Sequence, residues 1–274
     1  MTDFERVRSY YKRFDEKNRL AATNSGKLEY TMTKQILDKY LPESASVLDL
    51  GAGTGAYAFP LAEEGYQVVL ADLSEDLIRQ AKQEKEESGN DNIISCDIVN
   101  AIDLSIYADE RFDAVLLLGP LYHMTEEWER KKCIAEIERV LKQGGVIFAS
   151  FIPYLSGSIA IVDRYFGHPD QVDADRLKQV FQSGRFHNLS DEGFQEGYYA
   201  ASDEIEKLFE IHGFRKLEIR SLRGFGYGKE DDIYKLLSRD REMFCTIIDM
   251  INKTAGEKEI IEMCGHAIYA GYKQ

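Results

Sequence analysis

Short apolar runs alternate with amphipathic stretches along residues 46 to 151: "SVLDLG", "AYAFPLAEEG", "YQVVLAD", "SEDLIRQAKQEKEE", "NIISCD", "FDAVLLLG", "EEWERKKCIAEIERVLKQGG" and "VIFASFI". The apolar runs are rich in Val, Ile and Leu, as strands buried on both faces are. The stretches between them place apolar residues at helical spacing. This order predicts parallel strands joined by crossover helices, that is, a doubly wound α/β core. Ser74 is placed to cap the helix that begins "EDLI", with Glu75 and Asp76 favoured in its first turn by the helix dipole. A longer helix is predicted from about Glu126 to Lys142, with Ile134, Ile137, Val140 and Leu141 on one face and Gly144 and Gly145 ending it.

After Phe151 the pattern changes. Residues 153 to 200 read as mixed helix and loop with many aromatics, among them Tyr154, Phe181, Phe186, Phe194 and Tyr199. Regular signals return with "SDEIEKLFEIHGF", predicted as a Ser202-capped helix, and the strand "RKLEIRSL". A helix from about Ile233 to Asn252 follows the loose "GFGYGKEDD", and "GHAIYAGYKQ" closes as a strand. The core is thus interrupted near its fifth strand and again before its last.

Composition narrows the partners. A chain of 274 residues, 44% hydrophobic and 30% charged with five prolines, suits one folded domain with a lid. Lys and Arg number 34 against 48 Asp and Glu, and a net charge of -14 repels a phosphate backbone, so no nucleic-acid partner is expected. Cys96, Cys133, Cys245 and Cys264 are dispersed, with no CxxC pair and no histidine at ligand spacing, so no metal site is expected. The N-terminus lacks the apolar core of a signal peptide, and no apolar run nears the ~20 residues of a membrane helix. A cytoplasmic protein with reduced thiols and no membrane partner is the expectation, with a homodimer as one admissible assembly.

The candidate chemistry sits in "VLDLGAGTGAYAFPLA", where Gly51, Gly53 and Gly55 follow the first strand. Such a turn lets a ligand approach the backbone at a helix N-terminus. Asp72, at the end of the second strand, is placed to accept hydrogen bonds from both hydroxyls of a ribose, and the missing Gly-Lys-Ser/Thr excludes a P-loop. A dinucleotide fingerprint fits only by counting Ala56 as its last member, which leaves Asp49 and Gly55 unexplained.

"VLDLGAGTG" resembles the first motif of class I S-adenosylmethionine-dependent methyltransferases. "VVLADLSEDLIRQAK", "IISCDI", "FDAVLLLGPLYHM" and "VLKQGGVIFASF" are similar to the motifs that follow it in that family, in the same order. The "GPLYH" segment also resembles a bacterial subgroup of small-molecule methyltransferases. The resemblance implies a seven-stranded, mostly parallel sheet of Rossmann-like type with an antiparallel last strand and a helical, aromatic lid. It implies one domain over 1–274, with a core of about 30–152, 200–225 and 264–274 and lid elements of about 1–29, 153–199 and 226–258.

For the site, the resemblance implies S-adenosylmethionine as cofactor, with Asp49, Gly51, Ala52, Gly53 and Gly55 at the turn and Asp72 and Leu73 at the ribose. Asp97 would meet the adenine amino group and the Ile98 amide the ring, while Leu118 and Gly119 lie at the fourth strand end. Tyr10, Tyr11 and Arg19 are candidates to close over the cofactor, the arginine on its carboxylate and a tyrosine near the sulfonium. The acceptor would be a small molecule. His123 is the candidate general base, or a hydrogen-bonded structural histidine, and Tyr122 offers an aromatic face or plain packing. The segment "GPLY" departs from the "Asn/Asp-Pro-Pro-Tyr/Phe" of enzymes that methylate exocyclic amines of bases. Two other readings stand beside this one. An NAD(P)-dependent oxidoreductase would use the same turn but lacks a recognisable Tyr-x-x-x-Lys pair, and a regulatory protein would bind the cofactor without turnover.

Overall fold

The computed structural model describes residues 2–13, 19–190 and 192–274. Among the described residues the strands are β1 (Ser46–Leu50), β2 (Gln67–Asp72), β3 (Ile93–Ile98), β4 (Phe112–Leu117), β5 (Leu141–Pro153), β6 (Arg185–His187), β7 (Glu196–Ala200), β8 (Phe214–Ser221) and β9 (Ala267–Lys273). β3, β2, β1, β4 and β5 lie side by side and run parallel. β9 then runs antiparallel to β5 and pairs with β8, giving the expected seven-stranded sheet with an antiparallel last strand. The other two strands form a hairpin from the aromatic insertion, which joins β5 in parallel at Ile152 and Pro153.

Alternation along the strands feeds two cores, one on each face of the sheet. Leu48, Leu50, Val69, Ala71, Val115 and Leu117 pack with Cys133, Ile134 and Ile137 of the helix Glu127–Val140. Val47, Val68, Leu70 and Leu116 pack with Leu28, Met32 and Ile36 of the helix Asn24–Tyr40. A period of two with both faces buried is what the continuous apolar runs require. The insertion carries a small core of its own, built from Ile161, Val172, Val180, Phe186 and Tyr199.

Several local expectations are met and others shift. Ser74 caps Glu75–Ser88 by accepting the Leu77 amide at 3.4 Å. The long helix stops at Val140 rather than at the glycines, because Leu141 is already drawn into the ladder opposite Phe112. Ser202 does not cap its helix; its hydroxyl donates to Glu262 Oε1 at 2.5 Å, and the cap position falls on Ala201. The expected helix from 233 to 252 is two, Glu230–Arg239 and Arg241–Thr254. Asp240 breaks it with an extended backbone and caps the second part by accepting the Met243 amide at 3.0 Å. Among the described residues, no helix is long and apolar enough to cross a membrane.

The strand order matters for function. The chain leaves β1 toward β2 on one side and reaches β4 on the other, so β1 and β4 flank the point where the winding reverses. In open α/β sheets a crevice forms there, beyond the carboxyl ends of the strands.

Candidate functional site

A cavity of about 230 Å³ lies at that crevice. One end is the glycine turn after β1. Gly51 has φ +76, and a Cβ there would lie 2.4 Å from Cγ of Pro120, so the turn and the loop after β4 abut at a distance only glycine permits. The Gly51 and Ala52 amides donate to the Ala71 carbonyl at 2.8 and 3.1 Å, which pins the turn to β2. Gly55 is closely packed: a Cβ there would strike Phe59 at 2.6 Å and Leu70 at 2.8 Å. The helix that follows, Ala58–Glu63, is only six residues long.

Asp72, at the end of β2, lines the cavity together with Gly51, Gly53, Leu73 and Ser74. Its Oδ2 accepts the Gly53 amide at 2.9 Å and its Oδ1 the Ser74 amide at 2.8 Å. Burial raises its pKa above the ordinary aspartate value, while these backbone amides hold it down. Asp49 lies buried in β1 beneath the turn, and its Oδ2 has no hydrogen-bond partner among the described residues. Burial, then the charge of Asp72, pushes Asp49 up to about 7, against a hydrogen bond from the Ala58 amide.

At β3 the structure departs from expectation. Asp97 and Ile98 are not among the lining residues; Val99, Asn100 and Ala101 take their place. Asp97 Oδ2 accepts the Ser95 hydroxyl at 2.8 Å and the Tyr107 hydroxyl at 3.0 Å, which turns the carboxylate toward its own strand and the following loop. Ile98 is 52% exposed. The cavity lining thus takes up Val99, Asn100 and Ala101, two to four residues past Asp97.

The other end of the cavity is aromatic. Leu118 and Gly119 follow β4, and the single turn Pro120–His123 delivers Tyr122 and His123 to the lining. His123 is buried, with Nδ1 3.1 Å from the Glu196 carbonyl oxygen and Nε2 2.8 Å from the Tyr11 hydroxyl. Burial lowers its pKa to about 4. The Tyr122 ring stacks on His266 at 5.5 Å, and Phe194 lies 5.0 Å from the His123 ring. His266 Nδ1 is 3.0 Å from Glu29 Oε2.

The helix Phe4–Arg13 brings Phe4, Val7, Arg8 and Tyr11 to the lining, one face at three- and four-residue spacing. Arg19 begins the helix Arg19–Ala22, and its side chain, like that of Tyr10, lies outside the described residues. Of the three expected lid segments, the first and second contribute to the lining and the third does not. Ile233 and Ile251 of that third segment are buried in the core on the face of Asn24–Tyr40. Sequence reading missed Phe4, Val7, Arg8, Asn100 and His266 as lining residues, while Phe194 comes from the aromatic insertion. The spacing of the first three was a visible signal. His266 had none, because only the antiparallel return of β9 brings it beside Tyr122. Among the described residues, no group of three or more His, Cys, Asp or Glu is placed to hold a metal ion.

Comparisons with known proteins identify the family. A family model described as a methyltransferase domain matches residues 48–149. The chain is similar to the tRNA 5-carboxymethoxyuridine methyltransferase of Escherichia coli, 32% identical over 166 residues, 57% of this chain and 60% of that one. It thus spans less than two thirds of that relative's length. It is also similar to the demethylmenaquinone methyltransferase of Clavibacter sepedonicus, 32% identical over 220 residues, 80% of this chain and 83% of that protein. Among solved structures, an S-adenosylmethionine-dependent methyltransferase from Methanosarcina mazei shares the fold, with a TM-score of 0.60 at 20% identity over 87% of this chain and 96% of that one. The chain belongs to the class I S-adenosylmethionine-dependent methyltransferase family.

Proposed function

We propose that this protein transfers the methyl group of S-adenosylmethionine to a small molecule seated in the cavity between β1, β4 and the helix Phe4–Arg13. One observation carries the reading: a single cavity joins the glycine turn and Asp72 to the aromatic end at Tyr122, His123 and Phe194. The residues fit the cofactor. Asp49, behind the turn and outside the cavity lining, keeps a buried carboxylate oxygen without a hydrogen bond among the described residues. Each Asp72 oxygen accepts one backbone amide and retains a lone pair for a ribose hydroxyl. Val99, Asn100 and Ala101 form the apolar and amide wall where a base would lie.

When bound, the cofactor supplies an electrophilic methyl on a cationic sulfur. The work left to the chain is to orient the acceptor and exclude water. Tyr122 and Phe194 offer flat faces that suit a planar acceptor or a cation. The helix Phe4–Arg13 contributes the side of the cavity that shields it from water.

The two relatives named above differ in acceptor, a tRNA nucleoside in one and demethylmenaquinone in the other. An aromatic cavity and a net charge of -14 favour a small, uncharged acceptor over a polyanion. The test is methyl-labelled cofactor incubated separately with total tRNA and with the small-molecule fraction of a cell extract. Label in a small molecule is the expected result, and label confined to tRNA would overturn the reading.

A further inference from the structure

Plain methyl transfer leaves one arrangement without a task. His123 Nδ1 lies 3.1 Å from the Glu196 carbonyl oxygen, which can only accept, so Nδ1 carries the ring proton. Nε2 of the neutral ring is then an acceptor, and the Tyr11 hydroxyl, 2.8 Å away, donates to it. Burial holds His123 down to about 4, so this neutral tautomer is its state at physiological pH. Tyr11 itself lines the cavity. A proton path therefore runs from the cavity through a phenol to a ring whose tautomer the backbone fixes.

Among the described residues, few charges lie around the path. Arg8 lines the cavity and is paired with Glu5, Asp72 lies at the glycine end, and His266 is held by Glu29. The Glu196 carboxylate is engaged with His187 at 2.5 Å, and Arg6 lies 3.9 Å away. A carboxylate at the aromatic end would thus meet rings where it needs a counter-charge. A flat, neutral, protic molecule meets both the rings and the Tyr11 hydroxyl.

Resting on the methyl-transfer reading, we propose that Tyr11 is a catalytic residue that, with His123, forms a proton relay for an acceptor bearing an aromatic or enolic hydroxyl. The acceptor O–H bond breaks and its proton passes to Tyr11 Oη, while the Tyr11 proton passes to His123 Nε2. The freed electron pair on the acceptor makes the bond to the methyl carbon as the carbon–sulfur bond breaks and leaves its pair on sulfur. One positive charge disappears at sulfur and one appears on the imidazole. Total charge in the cavity is unchanged, which offsets the cost of a buried imidazolium.

The test is binding, measured by calorimetry on protein saturated with S-adenosylhomocysteine, with 1-naphthol and its methyl ether 1-methoxynaphthalene as probes. Wild type should bind 1-naphthol about tenfold more tightly than the ether, the worth of one buried hydrogen bond. Tyr11→Phe should abolish that preference, bringing the affinity for 1-naphthol down to that for the ether. A merely structural Tyr11 would instead weaken both probes together, and that result would overturn the proposal. So would equal binding of the two probes by wild type, or no binding of naphthol. Failure of S-adenosylhomocysteine to bind the folded wild type would instead overturn the methyl-transfer reading, and the relay with it.

Discussion

The Tyr11 hydroxyl meets His123 Nε2 at 2.8 Å and so fastens the helix Phe4–Arg13 to the turn after β4, at the aromatic end of the cavity. The same helix is fastened at two further points. Arg6 donates to His187 Nε2 at 2.7 Å and to the Asn188 and Ser190 carbonyls at 3.2 and 3.1 Å, on the hairpin of β6 and β7. Thr2, just before the helix, is buried against Glu129 and Thr125.

The Thr2 anchor gives the first prediction. Glu129 is fully buried and accepts both the Thr2 amide, at 2.9 Å, and the Thr2 hydroxyl. Glu129→Ala leaves two buried donors without their carboxylate, which costs about 1–3 kcal/mol. The variant should melt lower than wild type and lose residues 2–13 to trypsin before its core is cut. Unchanged cleavage at Arg6 and Arg8 would show that the anchor does not hold the helix.

Asp49 sets a pH dependence of unusual sign. Its pKa in the fold, about 7, lies above the ordinary 3.8, so the native state binds a proton more tightly than the unfolded chain. The protonated carboxyl is favoured below pH 3.8, and stability is lost as pH rises through 7. The full difference is on the order of 4 kcal/mol. Denaturant titrations should find Asp49→Asn more stable than wild type at pH 8, with the gap closing near pH 4. A gap that does not vary with pH would contradict the assignment.

His123 acts in the opposite sense. Its pKa, lowered to about 4 from 6.5, makes protonation costly in the fold, so stability contributed above pH 6.5 is lost as pH falls through 4. The two groups partly cancel in wild type. In Asp49→Asn the acid-side loss should therefore be steeper than in the parent, and the double variant with His123→Asn should lose that steepness.

Gly51→Ala isolates the turn. A methyl group 2.4 Å from Pro120 Cγ at a φ of +76 cannot be accommodated without moving the loop after β4. The expected outcome is a folded protein, destabilised by about 1–3 kcal/mol, whose cofactor affinity falls more than tenfold. Retained affinity would mean that the abutment of the two loops does not shape the site.

How much of this was legible in the sequence follows from the range of the interactions involved. The order of β1 to β5, the Ser74 cap and the glycine turn rest on spacing within a few residues, and the pattern displays them. The end of the helix Glu127–Val140 was misplaced because the ladder between Leu141 and Phe112 overrides the glycine signal. β6 and β7, three and five residues long, exist by pairing with each other and with β5 and have no periodicity to show. Asp97 lies on the expected strand, yet its carboxylate is claimed by Tyr107, ten residues on. The meeting of Tyr11, His123, Phe194 and His266 depends on four separate elements. It could be named only residue by residue, never as a group.

The most direct measurement is isothermal titration of the folded protein with S-adenosylhomocysteine, for wild type and Asp72→Ala. One-to-one binding that weakens at least tenfold in the variant is expected, since the carboxylate both holds the Gly53 amide and faces the cavity. No binding by wild type, or binding indifferent to Asp72, would contradict the assignment of this cavity as the cofactor site.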